Sequence, residues 1–180
     1  MIIEQNPKST IVSLLVLLAT CAAIATAGDK TELKWRNFEA GFAEAKISHK
    51  KIMLDVYTDW CGWCKRLDRD VYGNEEVAKY LIEEYVVIKL NAESNAKIRF
   101  DDTIYTEAEL SQAFGVTGYP AIIFFDSTGA PLNKLAGYVP ANEFLPIIRY
   151  FGDDSYKTIS WNDYRKQHPP VEQPKASKKK

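Results

Sequence analysis

The stretch "DVYTDWCGWCKRLD", residues 55–68, decides how this chain is read. Cys61 and Cys64 sit three residues apart, with Trp60 before the pair and Trp63 inside it. The stretch continues the apolar run "KIMLDVYT", dense enough in buried types for a central strand. Two thiols at i and i+3 at the start of a helix lie close enough to bridge. The first sits where free N–H groups and the helix dipole stabilise a thiolate, which lowers its pKa and makes it the attacking group. The second, a turn deeper, attacks the mixed disulfide and releases the product. Lys65 and Arg66 add positive charge nearby, partly offset by Asp59, Asp68 and Asp70.

Blander readings fit less well. A structural disulfide closing so short a loop removes little chain entropy. A zinc site needs about four ligands, and only His49 and His168 are left as soft partners. An unreactive buried pair sits badly at a tryptophan-flanked strand-to-helix turn. The pattern favours a redox pair, with no metal and no cofactor beyond the Cys61–Cys64 disulfide itself.

Export chemistry points the same way. Lys8 precedes an apolar run from Ile11 to Ala27, and "ATA" at 25–27 offers small residues for cleavage before Gly28, so residues 1–27 read as a signal peptide. An uncleaved anchor is the alternative, because the run is close to the lower limit for a span; a lipid-modified Cys21 is the third reading. Cleavage removes Cys21 and leaves Cys61 and Cys64 as the remaining thiols. The 180 residues suggest one domain with short additions. A formal net charge of -1, with "KKK" at the C-terminus as the basic cluster, argues against nucleic-acid binding.

Helical spacing in "NFEAGFAEAKIS" follows Asn37 as an N-cap. "NEEVAKYLIEEY" reads as a helix capped by Asn74, with Val77, Tyr80, Leu81 and Tyr85 on one face. "YVVIKLNA" is a second buried strand. "ESNAKIRFDDTIY" is a loop or short hairpin turning at Asp101-Asp102. Thr106 and Glu109 form a capping-box pattern in "TEAELSQAFG", which Gly115 ends. "AIIFFD" and "PLNKLAG" are strands, the second at an edge, and "ANEFLPIIRYFG" closes as a helix with Pro146 in its first turns. Strands alternating with helices indicate an α/β fold with a central mixed sheet.

Together these segments resemble the thioredoxin superfamily. "IMLDVYTDWCGWCK" is similar to its active-site strand, buried aspartate and Trp-Cys-Gly-x-Cys. "VIKLNA" is similar to the strand carrying a lysine near that site, and "FGVTGYPAIIFFDSTG" to the segment with the cis-proline. "LAGYVPANEFLPII" is similar to the closing strand, glycine and helix, with Gly137 at the glycine position. The resemblance runs from about Trp35 to Phe151.

It implies a thioredoxin fold over 28–152, with an insert between Asn91 and Thr106 before the cis-proline segment. A docked C-terminal extension over 153–167 carries Tyr156, Trp161 and Tyr164, and 168–180 is a disordered tail. It also implies roles. Cys61 is the exposed nucleophile and Cys64 the resolving thiol. Asp55 takes the proton from Cys64, and Lys89 tunes Asp55. Trp60, Gly62, Trp63, Tyr119 and Pro120 meet the substrate, with Pro120 after a cis peptide bond. Trp63 departs from the residues common at its position, which leaves the direction of electron flow open.

The expected activity is an exported, periplasmic-type thiol–disulfide oxidoreductase that reduces protein disulfides. Its implied electron donor is a membrane protein, and a monomer is expected; exported isomerases often dimerise through a separate domain, and none is visible here, which counts against an isomerase. The rivals are an oxidase or isomerase using the same pair, and a non-catalytic binding or chaperone module on the same scaffold.

Overall fold

A computed structural model describes residues 32–170. The signal-peptide reading and most of the predicted tail, residues 171–180, lie outside the described residues.

The chain runs α1 (Phe38–Ser48), β1 (Lys51–Tyr57), α2 (Gly62–Leu67), a π-helical turn (Asp68–Tyr72), α3 (Glu75–Glu84) and β2 (Tyr85–Asn91). A hairpin of β3 (Lys97–Phe100) and β4 (Thr103–Thr106) follows, then α4 (Glu107–Ala113), β5 (Ala121–Phe125), β6 (Pro131–Ala136), α5 (Ala141–Gly152) and α6 (Trp161–Gln167). The main sheet has the order β2-β1-β5-β6. β1 pairs parallel with β2 and antiparallel with β5, and β5 pairs antiparallel with β6. This is the expected mixed sheet, with "PLNKLA" on its edge.

Side chains alternate across a strand, so each strand feeds two cores. Met53, Val87, Ile122 and Phe124 point to the layer that holds Leu67, Leu81, Phe144 and Ile148 from the helices. Ile52, Leu54, Val56, Ile88, Ile123 and Phe125 point to the other, with Phe38, Ala45 and Leu110. Asp55 has the parity of Met53 and Lys89 that of Val87, so both face the layer covered by α2 and α3. Two strand polar groups are thereby delivered beneath the cysteine-bearing helix.

Local chemistry sets the element ends. The Asn37 and Asn74 side chains accept from Ala40 N and Val77 N. Thr106 and Glu109 close a reciprocal capping box, each oxygen satisfying a backbone N–H that the helix cannot. Gly41 lets α1 press on β2: a Cβ there would lie 2.4 Å from Ile88 Cδ1. Tyr85 departs from the expected helical face and is the first residue of β2, paired with Lys51. Its buried hydroxyl donates to Ile148 O at 2.6 Å, so α5 claims it for the sheet.

The segment between Asn91 and Thr106 forms a two-stranded sheet turning at Asp101, φ 51°, a conformation aspartate tolerates better than most residues. Beyond α5, the Tyr150 ring meets Trp161 and Tyr164 at 5.2 and 5.0 Å, and its hydroxyl donates to Ile159 O.

Candidate active site

β1 ends at Tyr57, and the Cys61 N–H donates to Thr58 O at 3.1 Å, which turns the chain into α2. Cys61 is the N-cap of α2, with its Sγ accepting from Cys64 N at 3.0 Å. Cys61 and Cys64 form a disulfide. A sulfur that accepts a helix N–H is stabilised as thiolate when the bond opens.

The expected exposure of Cys61 is not what this oxidised form shows: the residue is 4% exposed and Cys64 3%. Its sulfur is turned inward onto the Cys64 sulfur and amide. The accessible surface belongs instead to the tryptophans, Trp60 at 66% and Trp63 at 54%.

Both indoles are held. Trp60 Nε1 donates to Glu93 Oε1 at 2.9 Å, and its ring stands edge-on to Tyr119 at 6.1 Å. Trp63 packs on Tyr138 at 5.3 Å, and the Arg66 guanidinium lies 5.2 Å from each of those two rings. Asp70 in turn accepts from Arg66 Nε at 3.1 Å. Gly62 opens α2, exposed, with nothing within 4 Å of where a Cβ would sit. The Tyr119–Pro120 bond is cis, and Pro120 O accepts from Gly137 N at 2.8 Å. The Trp60–Tyr119 contact brings this loop beside the cysteine turn. A cleft of about 210 Å³ adjoins it, lined by Gly118, Tyr119, Lys134, Ala136 and Gly137.

Beneath lies a charged cluster. Asp55 and Lys89 are register partners across β1 and β2. Lys89 Nζ donates to Asp55 Oδ2 at 2.5 Å and to Asp68 Oδ1 at 2.6 Å. Asp68 follows Cys64 by one turn, its N–H bonded to Cys64 O. The ammonium also lies 4.6 Å from the Trp35 ring, 5.1 Å from Tyr57 and 5.5 Å from Tyr72. A short backbone bridge between Arg36 and Ile88 sets Trp35 there.

Asp55 is fully buried. Loss of solvation pushes its pKa up from 3.8 to about 6, with Lys89 pulling against that rise. Burial works against the Lys89 charge, but Asp55 and Asp68 outweigh it and hold the lysine above its ordinary value. The result is a carboxyl poised to exchange a proton near neutral pH beside a permanently charged lysine.

Sequence reasoning reached Asp55, Lys89, the cysteines and the proline loop. It missed Asp68 as second partner of Lys89, the Arg66–Tyr138 support of Trp63, and Glu93 on Trp60. The i+4 spacing from Cys64 to Asp68 was the one available signal.

Residues 38–152 match the family model described as a thioredoxin-like domain. The chain belongs to that family. This thioredoxin-like domain is 35% identical over 98 residues to the thiol:disulfide interchange protein DsbD of Actinobacillus pleuropneumoniae serotype 5b (strain L20), a match taking in 53% of this chain and 15% of that protein. The first curated relatives are matched over only 15–19% of their own length. Among solved structures, a thioredoxin-fold protein from Helicobacter pylori superposes with a TM-score of 0.55 at 21% identity, covering 78% of this chain and 84% of that one. A thioredoxin from Thermus thermophilus gives 0.55 at 20% identity, covering 67% and 87%. These two likenesses concern the fold. Family membership and the Cys61–Cys64 bridge together make the protein a thiol–disulfide oxidoreductase.

Proposed function

We propose that the protein is an exported reductase of protein disulfides. The observation that carries this reading is the Cys61 sulfur capping α2 on the Cys64 N–H, above a buried carboxyl of near-neutral pKa. In the reduced form the Cys61 thiolate attacks one sulfur of a substrate disulfide. A mixed disulfide forms and one substrate thiolate leaves. Cys64 gives its proton to Asp55 and attacks Cys61 Sγ. The mixed disulfide breaks, the second substrate thiolate departs, and the Cys61–Cys64 disulfide remains. Two electrons pass to the substrate, and the protons are returned to its thiolates. Lys89 keeps Asp55 from rising further in pKa, so the carboxyl is ionised and ready at neutral pH. Trp60, Gly62, Trp63, Tyr119 and Pro120 form the face that receives the substrate, and the cleft beside Tyr119 takes its backbone.

Similarity to thiol:disulfide interchange proteins supports this reading, as does the apolar run at 11–27 followed by "ATA". Working in the periplasm, such a reductase draws its electrons from a membrane protein. Among the described residues no helix is long and apolar enough to cross a membrane. The test is insulin reduction with dithiothreitol as donor, comparing the native protein with Cys61→Ser. Turnover falls to background in the variant; turnover that survives rules out the dithiol mechanism.

A further inference from the structure

The π turn at Asp68–Tyr72 delivers a group that the mechanism above leaves unused. Its last residue, Tyr72, is buried, wedged edge-on against Trp35 at 5.1 Å and Phe144 at 6.0 Å. Its hydroxyl has no hydrogen-bond partner among the described residues. Neither does Oδ1 of Asp55, the carboxylate oxygen that Lys89 leaves free. The two groups are neighbours: Lys89 Nζ bonds Asp55 while standing 5.5 Å from the Tyr72 ring, and hydrogen bonding from Tyr72 is among the causes that hold the Asp55 pKa down against its burial. After burial itself, the Asp55 charge is the first cause holding the Tyr72 phenol well above its ordinary pKa. Buried polar atoms without partners are rare and costly. Two of them side by side at the base of a redox centre call for a pairing.

We propose that the Tyr72 hydroxyl is a positioning residue for Asp55, engaging Oδ1 directly or across one enclosed water. A hydroxyl suits this place because it both donates and accepts. It donates to Oδ1 while Asp55 is ionised. It accepts from the same oxygen once Asp55 carries the Cys64 proton. Both states of the carboxyl are then satisfied without opening the core to bulk water. A phenylalanine would fill the same space and do neither. π turns within helices are frequent at functional sites, and this one begins at Asp68, which bonds Lys89, and ends at Tyr72.

The groups facing the Asp55 carboxyl are Lys89 from β2, Asp68 and Tyr72 from the π turn, and Tyr57 from its own strand. Lys89 favours the ionised form and Asp68 opposes it. Tyr72 adds a donor to the ionised form, so its loss moves the Asp55 pKa upward.

The inference rests on Asp55 as proton acceptor, and its test is independent of turnover. The Asp55 carboxyl is titrated by carbon-13 NMR in the oxidised native protein and in Tyr72→Phe. The variant preserves ring volume, and its near-ultraviolet circular dichroism confirms the fold. The Asp55 pKa rises by about 1 in the variant, the scale of one lost hydrogen bond to a charged group. In the native protein the Tyr72 Cζ resonance moves with the same midpoint as Asp55. An unchanged Asp55 pKa in the variant, or a Tyr72 Cζ that ignores the Asp55 transition, overturns the pairing. Failure of the Asp55 reading shows elsewhere, as an Asp55→Asn variant whose pH–rate profile for insulin reduction matches the native one.

Discussion

Ionising Asp55 is expected to destabilise the fold, and the effect has a sign and a window. The folded-state pKa is raised from 3.8 to about 6. Between those values the unfolded chain has released a proton that the native state still holds, so stability falls as pH rises. At about 1.4 kcal/mol for each pH unit, the full loss is about 3 kcal/mol, complete above about pH 7. Well below the unfolded value of 3.8 both states are protonated and the penalty is gone. Asp55→Asn removes this titration while keeping a side chain of similar shape. The assay is urea unfolding of the oxidised protein and of the variant from pH 4 to pH 8. Other carboxyls with lowered values, such as Glu109 and Asp126, act in the opposite direction at lower pH and are common to both proteins. The difference in unfolding free energy between variant and native therefore isolates Asp55. It should grow in favour of the variant by about 2–3 kcal/mol across that range. A difference that is flat with pH, or that grows in favour of the native protein, refutes the claim that desolvation dominates at this carboxyl.

Two further substitutions probe its surroundings. Lys89→Met takes away the countercharge while burial remains, so the Asp55 pKa climbs above 6 and the acidic limb of the reduction rate moves to higher pH; carbon-13 titration and a pH–rate profile read both. Removing one partner of a buried pair typically costs about 3–5 kcal/mol, so this variant should also unfold at lower urea at pH 8. Gly41→Ala forces a Cβ into Ile88, whose side chain is enclosed; overpacking of about 1–3 kcal/mol outweighs the helix-propensity gain of about 1, and the urea midpoint falls.

The parts of the fold set by local chemistry were legible in the residues. Asn37, Asn74 and Thr106 mark helix starts because a short polar side chain there satisfies backbone N–H groups. "KIMLDVYT" reads as a buried strand because its apolar density has no helical period. Asp55 stood out because an unpaired carboxyl in such a strand is costly. Tyr85 was misplaced because helix and strand abut without a break, and a tertiary hydrogen bond to α5 decides between them.

The deeper site depended on three-dimensional detail. A π turn cannot be read from "DRDVY", and it is this turn that carries Tyr72 toward the Asp55–Lys89 pair. The Trp63 platform needs Arg66 on the next turn and Tyr138 from a distant loop. The burial of Cys61 likewise depends on how its sulfur sits on the Cys64 sulfur and amide, which the sequence does not display.

The central claim is that Cys61 and Cys64 form a reversible dithiol poised to donate electrons. The most direct measurement is the equilibrium reduction potential of this pair, followed by thiol alkylation in dithiothreitol and glutathione buffers. The account predicts a value near that of thioredoxin, roughly -270 mV. A value near -120 mV, roughly that of a strong disulfide oxidant, would reverse the direction of electron flow and contradict it.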